Sequence, residues 1–265
     1  MAGLVKTSIN RKRNIAKTDR ATEGSQEPSE ATVAKKPKTS AANLKPERKA
    51  KADYQSGQLS AAGLAELDTS GQADWLRSQH AAYRKSSFLE QEELTGGSFA
   101  ALDSSIPLQQ QIQQHIPDWS ELCSVARFNK TNKTLARPSV LIVSASAPRA
   151  NDLAKLLPNI NKACKVSKLY AKHFKIEQQR AAMRLQGFFA AVGSPNRLLK
   201  LADLGDLHLE QLKMLMIDVQ LDAKQRTILD IPETRTDFWK FYDAHCKPHV
   251  SSGTCMLALI DAARG

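Results

Sequence analysis

From Gly193 to Asp222 the chain reads GSPNRLLKLADLGDLHLEQLKMLMIDVQLD, and this stretch limits the possible folds more than any other. It opens with a turn, Gly193-Ser194-Pro195-Asn196, continues as a helical pattern with Leu198, Leu201 and Ala202 on one face, and passes through Leu207, Leu209 and Leu212. It then enters the apolar run Met214-Leu215-Met216-Ile217, which ends on Asp218. A short run that is apolar at every position has no polar face, so it reads as a strand buried on both sides, as in a parallel sheet. A carboxylate at its end lies at the carboxyl edge, where open α/β sheets bind ligands.

The same rhythm runs from Pro138 onward. Val140 to Val143 is a strand pattern, and Pro148 opens a helix with Leu153, Leu156 and Leu157 inward, closed by Pro158. Lys165 to Tyr170 is a second strand, Ile176 to Leu185 a helix, and Phe188 to Val192 a third strand. After Asp222, helices are expected over 223–231 and 233–245, the second carrying Phe238, Phe241 and Tyr242, before a last strand from Met256 to Ile260. Strands alternating with helices imply a parallel sheet with right-handed crossovers. Asp218 itself reads as a cap on the helix expected after it rather than as a metal ligand.

The part before this region is different. Residues 53–117 read as a helical extension, with Ser60 as a cap, Trp75, Leu76, Gln79 and Tyr83 at helical spacing, and a capping-box pattern at Ser87 to Glu90. Gly96-Gly97 is a break, and Leu108, Ile112 and Ile116 repeat until Pro117. These faces are expected to pack on the main domain, 118–265. Residues 1–52 lack aromatics and have few large apolar side chains, so they are expected to be a disordered basic tail.

Charge sharpens that division. The 265-residue chain has a net charge of +11, and residues 1–51 hold 13 Lys/Arg against 5 Asp/Glu, a net of +8. The clusters Arg11-Lys12-Arg13 and Lys35-Lys36-Pro37-Lys38 fit nuclear import or non-specific nucleic-acid contact. No apolar run approaches the roughly 20 residues of a membrane span, and the first residues lack the apolar core of a secretory signal. Nucleus and nucleolus are the expected location, with no membrane partner.

The four cysteines, Cys123, Cys164, Cys246 and Cys255, include no C-x-x-C pair and fit free buried thiols in a reducing compartment. His245, Cys246, His249 and Cys255 match no common zinc spacing, and Pro248 is expected to break the register between the two histidines. Arg127 to Thr134 has the length of a P-loop and ends in Lys133-Thr134, but Arg127 and Asn132 fill both glycine positions. Backbone N–H groups wrap closely round phosphate only where those glycines are present. No cofactor is therefore expected.

The order and spacing of these motifs resemble the first RecA-like domain of DEAD-box RNA helicases. The turn Ser194-Pro195-Asn196-Arg197 stands where that family has T-P-G-R, and Ala147-Pro148-Arg149-Ala150 where it has P-T-R-E-L-A. Ala171-Lys172-His173 stands where it has Gly-Gly, and Asp218-Val219-Gln220-Leu221 where it has D-E-A-D. Asp261-Ala262-Ala263 replaces S-A-T. The resemblance implies a degenerate DEAD-box first domain, without the P-loop, the Glu of D-E-A-D or a second RecA-like half. The elements that face RNA in the family are partly kept. The stretches KVSKLYAKHFKIEQQ and VGSPNRLLKLADLGDLHLEQLKMLMIDVQLDAKQRTILDI, with the basic tail before them, are also similar to the Cms-type family. That family's members carry such a domain and are associated with early (90S) small-subunit pre-ribosomes.

The expected fold is thus α/β: a parallel-sheet, RecA-like domain with a helical N-terminal extension and a disordered basic tail. The expected function is that of a non-catalytic, RNA-associated factor in assembly of the small ribosomal subunit. Its implied partners are a ribosomal RNA precursor or small nucleolar RNA, and pre-ribosomal proteins. The RNA face is expected at one sheet edge, formed by Arg149, Lys172, His173, Ser194, Asn196 and Arg197. Charge reversal at Arg149 and Arg197 is expected to weaken RNA binding with the fold intact. Two other functions stay open: an NTPase using Arg127 to Thr134 as an unusual phosphate loop, and a purely protein-binding nuclear adaptor.

Overall fold

Five parallel strands, all but the edge strand at Ser167–Leu169 built mainly from apolar residues, form the sheet in the computed structural model, which describes residues 63–85, 94–122, 136–157, 166–172, 174–185 and 187–261. All of these fall in the unit Lys45–Gly265, and the other unit, Met1–Leu44, lies outside them. The basic clusters of the tail, Ser60, the Ser87–Glu90 pattern and Arg127 to Thr134 lie outside the described residues as well.

The strands are β1 (Val140–Val143), β2 (Ser167–Leu169), β3 (Ala190–Gly193), β4 (Met214–Asp218) and β5 (Met256–Ile260). Their order in the sheet is β2-β3-β1-β4-β5, and every pairing is parallel. β1, β3 and β4 are buried at every position, which is why their sequence shows no alternation. The side chains still alternate between two cores. Leu141, Val143, Leu215, Ile217, Leu257 and Leu259 enter one, and Val140, Ile142, Met214, Met216, Ala258 and Ile260 enter the other.

Helices cover both faces. The described helices are α1 (Thr69–Arg84), α2 (Leu108–His115), α3 (Ala147–Leu156), α4 (Ile176–Met183), α5 (Pro195–Asp203), α6 (Pro232–Phe241) and α7 (Lys247–Ser251). The first core takes Trp75 and Leu76 of α1, Met183 of α4, Leu198 and Leu201 of α5, and Phe238, Trp239 and Phe241 of α6. The second takes Leu108 and Ile112 of α2 with Ala150, Leu153 and Ala154 of α3. Trp239 is fully buried, so its truncation to Ala costs about 3–5 kcal/mol.

The segments before β1 close the β5 edge. Ala100 N–H donates to the Leu257 carbonyl at 2.8 Å, and Phe99 bridges Leu257 in parallel. The buried Gln72 of α1 accepts from Leu259 N–H at 3.3 Å and donates to the carbonyls of Ala65 and Leu67. A sheet edge left open would present unpaired backbone groups to another chain. At the far end of α1, His80 stacks on Trp239 with ring centroids 4.4 Å apart. Asp243 lies 3.0 Å from His80 Nε2 and 2.8 Å from Arg84 Nη2.

Two helix expectations need correction. Residues 223–231 form turns, because side chains capture the backbone N–H groups that a helix would use. Asp222 accepts from the N–H groups of Lys224 and Arg226, and Asp230 from that of Thr227. The second concerns the helix expected over 233–245, whose helical path does not stop at His245. α6 passes through a π turn, Tyr242–Cys246, into α7 with Pro248 in its first turn, where a missing N–H matters least.

Candidate nucleic-acid interface

The carboxyl edge of the sheet is where the chain's route reverses. α3, which follows β1, packs on one face, whereas α4, α5 and α6, which follow β2, β3 and β4, pack on the other. Such a switch opens a crevice at the carboxyl ends of neighbouring strands. In this protein an ion pair fills it. Arg149 Nε donates to Asp218 Oδ1 at 3.2 Å and to Oδ2 at 3.0 Å, and its Nη2 donates to Oδ1 at 2.9 Å. Ser144, just beyond β1, donates to Asp218 Oδ2 at 3.0 Å. Burial raises the Asp218 carboxyl above its ordinary value, while hydrogen bonds from Arg149, Ser144 and the Gln220 backbone oppose that rise.

This arrangement corrects two expectations. Asp218 caps no helix, since none begins directly after β4. Arg149 does not face solvent: only 8% of its surface is exposed, and its guanidinium is engaged inside the fold.

Arg197 is likewise internal. It is 7% exposed, with Nη1 donating to Gln179 Oε1 at 2.9 Å and Nη2 to the Phe174 carbonyl at 3.0 Å. Burial pulls its pKa below the ordinary value, and Glu177 opposes that shift. With both guanidinium groups buried and bonded, charge reversal at either arginine is expected to disturb the fold rather than leave it intact. In both cases the motif position suggested a cation facing RNA, whereas the guanidinium is bonded to groups distant in sequence.

Lys172, which follows β2, and Ser194 and Asn196, which follow β3, lie at the same edge, because β2 and β3 are neighbours. Lys172 follows β2 and is exposed, with no ion pair among the described residues. Ser194 precedes α5; its backbone N–H donates to the Leu169 carbonyl at 3.1 Å, and its side chain makes no cap hydrogen bond. Asn196 is exposed, and its Nδ2 donates to Asp237 Oδ2 at 2.9 Å. His173 lies outside the described residues. Gly193 permits the convergence, since a Cβ there would meet the Leu169 carbonyl oxygen and Leu198 Cδ2, each at 2.7 Å.

The loop between β2 and α4 is held from beneath. Gln179 Nε2 donates to the Lys168 carbonyl at 2.8 Å, Arg197 holds the Phe174 carbonyl, and Lys175 N–H donates to Gln178 Oε1 at 3.2 Å. Lys175 and Phe174, both exposed, are neighbours that the sequence reading passed over. The signal available for them was an aromatic interleaved with lysines.

A parallel α/β sheet with a closed crevice and a lysine-bearing loop at its carboxyl edge describes a class of domain rather than an individual protein. The family model for CMS1, described as U3-containing 90S pre-ribosomal complex subunit, matches residues 10–251, and the chain belongs to this family. It is 32% identical to Protein CMSS1 of Danio rerio over 188 residues, which is 69% of this chain and 62% of the relative. It is 37% identical to Protein CMS1 of Chaetomium thermophilum over 110 residues, or 41% of this chain and 44% of the relative. It is 31% identical to Protein CMSS1 of Homo sapiens over 157 residues, 58% of this chain and 54% of the relative. The chain thus spans less than two thirds of the length of these relatives. No described helix is long and apolar enough to cross a membrane.

Proposed function

We propose that the chain is a non-catalytic, RNA-associated assembly factor of the early small-subunit (90S) pre-ribosome, built on a degenerate, RecA-like helicase domain. The observation that carries this reading is the Arg149–Asp218 pair. Asp218 stands where the helicase family begins its acidic motif, and its carboxylate is engaged by Arg149 and Ser144 rather than presented to a metal ion and nucleotide. Phosphoryl transfer requires both a phosphate cradle and a metal-binding carboxylate. The description of the family supplies the setting, a U3-containing 90S pre-ribosomal complex.

In this reading the domain meets RNA at the carboxyl edge through Lys172, Lys175 and Ser194, while Arg149 and Arg197 hold the edge in shape. Contacts of this kind position a phosphate backbone without reading sequence, so affinity is modest and falls with salt. Specificity comes from pre-ribosomal proteins beside it. The tail clusters at Arg11, Lys12, Arg13, Lys35, Lys36 and Lys38 direct the chain to the nucleus and nucleolus.

A second reading, the protein-binding adaptor, is favoured by a cleft of about 600 Å³ beside the end of β5. It is lined in part by Leu102, Ile106, Leu156 and Leu259, with Asp103 and Asp261. Purification of the tagged chain from cells separates the alternatives. The expected result is co-purification of small-subunit rRNA precursor or U3 RNA, together with pre-ribosomal proteins. Recovery of those proteins without direct RNA contact supports the adaptor. Saturable ATP binding, abolished by Lys133→Ala, supports the NTPase.

A further inference from the structure

The geometry points to Phe174 as a stacking platform for an unpaired base, so that the ligand of this edge is single-stranded RNA. This inference rests on the RNA reading given above and adds the class of RNA to it. Phe174 is the one Phe, Tyr or Trp among the described residues that stands exposed, with 50% of its surface open. A single exposed apolar side chain is ordinary by itself. Three observations set this one apart.

The first is rigidity. The Phe174 carbonyl accepts from Arg197 Nη2, the next residue's N–H donates to Gln178, and the strand end at Lys168 is held by Gln179. Arg197 and Gln179 are themselves buried and bonded to each other at 2.9 Å. The backbone on the carboxyl side of the ring is therefore held by the fold, which reduces the ordering needed on binding.

The second is charge. Lys172 and Lys175 flank the ring in sequence, and both are exposed with no ion pair among the described residues. Glu177 in the first turn of α4 is the nearby acid and keeps the local charge moderate. The third is position. Phe174 follows β2 at the carboxyl edge, and its carbonyl is held by Arg197 of α5, the helix preceded by Ser194, whose side chain makes no cap bond.

An exposed aromatic ring with an exposed lysine on each side of it in the sequence matches the chemistry of a nucleotide, a base for the ring and phosphates for the lysines. Bases in a duplex are stacked on one another and offer no free face. Only a splayed, unpaired base reaches a side chain in this way.

The test compares the full-length chain with Phe174→Ala and Phe174→Tyr. The probes are a labelled single-stranded RNA of about ten nucleotides, the same strand in a duplex, and the same sugar-phosphate backbone with abasic positions. The wild type is expected to favour the base-containing single strand over both other probes. Phe174→Ala should bind that strand about five-fold or more weakly and no longer distinguish it from the abasic backbone, while Phe174→Tyr should bind like the wild type. The basic tail is the same in each protein, so these ratios report the edge. If wild type and Phe174→Ala bind the single strand equally, and Lys172→Ala plus Lys175→Ala weakens it, stacking is wrong and the phosphate edge stands. If none of these substitutions changes RNA binding, the edge itself is not the RNA surface, and the proposed function loses its interface.

Discussion

The guanidinium of Arg149 lies side-on to the carboxylate of Asp218, with Nε 3.0 Å from Oδ2 and Nη2 2.9 Å from Oδ1. The two residues are 69 positions apart, and their contact closes the crevice between β1 and β4. Removing one partner of a buried pair leaves the other charge without compensation, which is much costlier than the pair's own net contribution. Arg149→Ala is therefore expected to lower the free energy of unfolding by about 3–5 kcal/mol. Arg149→Lys should recover only part of it, because an ammonium cannot make the side-on contact. Urea denaturation followed by circular dichroism measures both. A loss below about 0.5 kcal/mol, typical of a surface site, would mean that Arg149 is free in solution.

Gly193 is the point where β2, β3 and α5 come together. A Cβ there meets backbone oxygen at 2.7 Å, and that oxygen belongs to a strand that cannot move alone. Gly193→Ala should destabilise the fold by about 1–3 kcal/mol, and thermal unfolding should show it as a lower Tm.

Asp243 joins α1 to the π turn after α6. Burial pushes its carboxyl up, but His80 and Arg84 outweigh that effect and hold it below the usual carboxylate value. A depressed carboxylate pKa contributes stability above the unfolded-state value, about 3.9, and that contribution is lost as pH falls through the folded-state value. Asp243→Asn should thus be less stable than wild type at neutral pH, with the gap narrowing as the pH falls below 4 or so. A gap that stays constant down to acid unfolding would show that the charge of Asp243 is not what matters.

Cys246 and Cys255 are free and buried. Burial pushes the Cys246 thiol well above its ordinary value and the Cys255 thiol up to about 12. Since the thiolate is the reactive form, iodoacetamide at neutral pH should leave both unlabelled in the folded chain and label both in denaturant. Peptide mass spectrometry reads the two positions separately. Rapid labelling of either in the folded protein would contradict their burial.

The parallel sheet was legible in the sequence for a physical reason. β1, β4 and β5 are central or well covered, so continuous apolar runs mark them, and Val140–Val143, Met214–Asp218 and Met256–Ile260 were read with the observed bounds. β2 is shorter than its alternating pattern suggested, and β3 begins two residues later than Phe188, as expected of ends fixed by neighbours rather than by local preference. The 223–231 turns were misread because Asp222 and Asp230 compete for backbone N–H groups that apolar spacing does not reveal. The strand ends do share one carboxyl edge, as a parallel sheet requires, but Arg149 and Arg197 are buried there rather than exposed. Nothing near Arg149 in sequence announces Asp218, and nothing near Arg197 announces Gln179. Phe174 lies between the expected strand and the expected helix, where neither periodicity shows whether an apolar side chain is buried or exposed.

The most direct test of the account is ultraviolet crosslinking of the tagged chain within cells, with the nucleotide-modified peptides mapped by mass spectrometry and the attached RNA sequenced. The account predicts nucleotide adducts in the peptide that holds Lys172, Phe174 and Lys175, on small-subunit rRNA precursor or U3 RNA. It also predicts their loss in Lys172→Glu plus Lys175→Glu with the fold unchanged. Adducts confined to the basic tail, or a particle-bound chain with none, would contradict it.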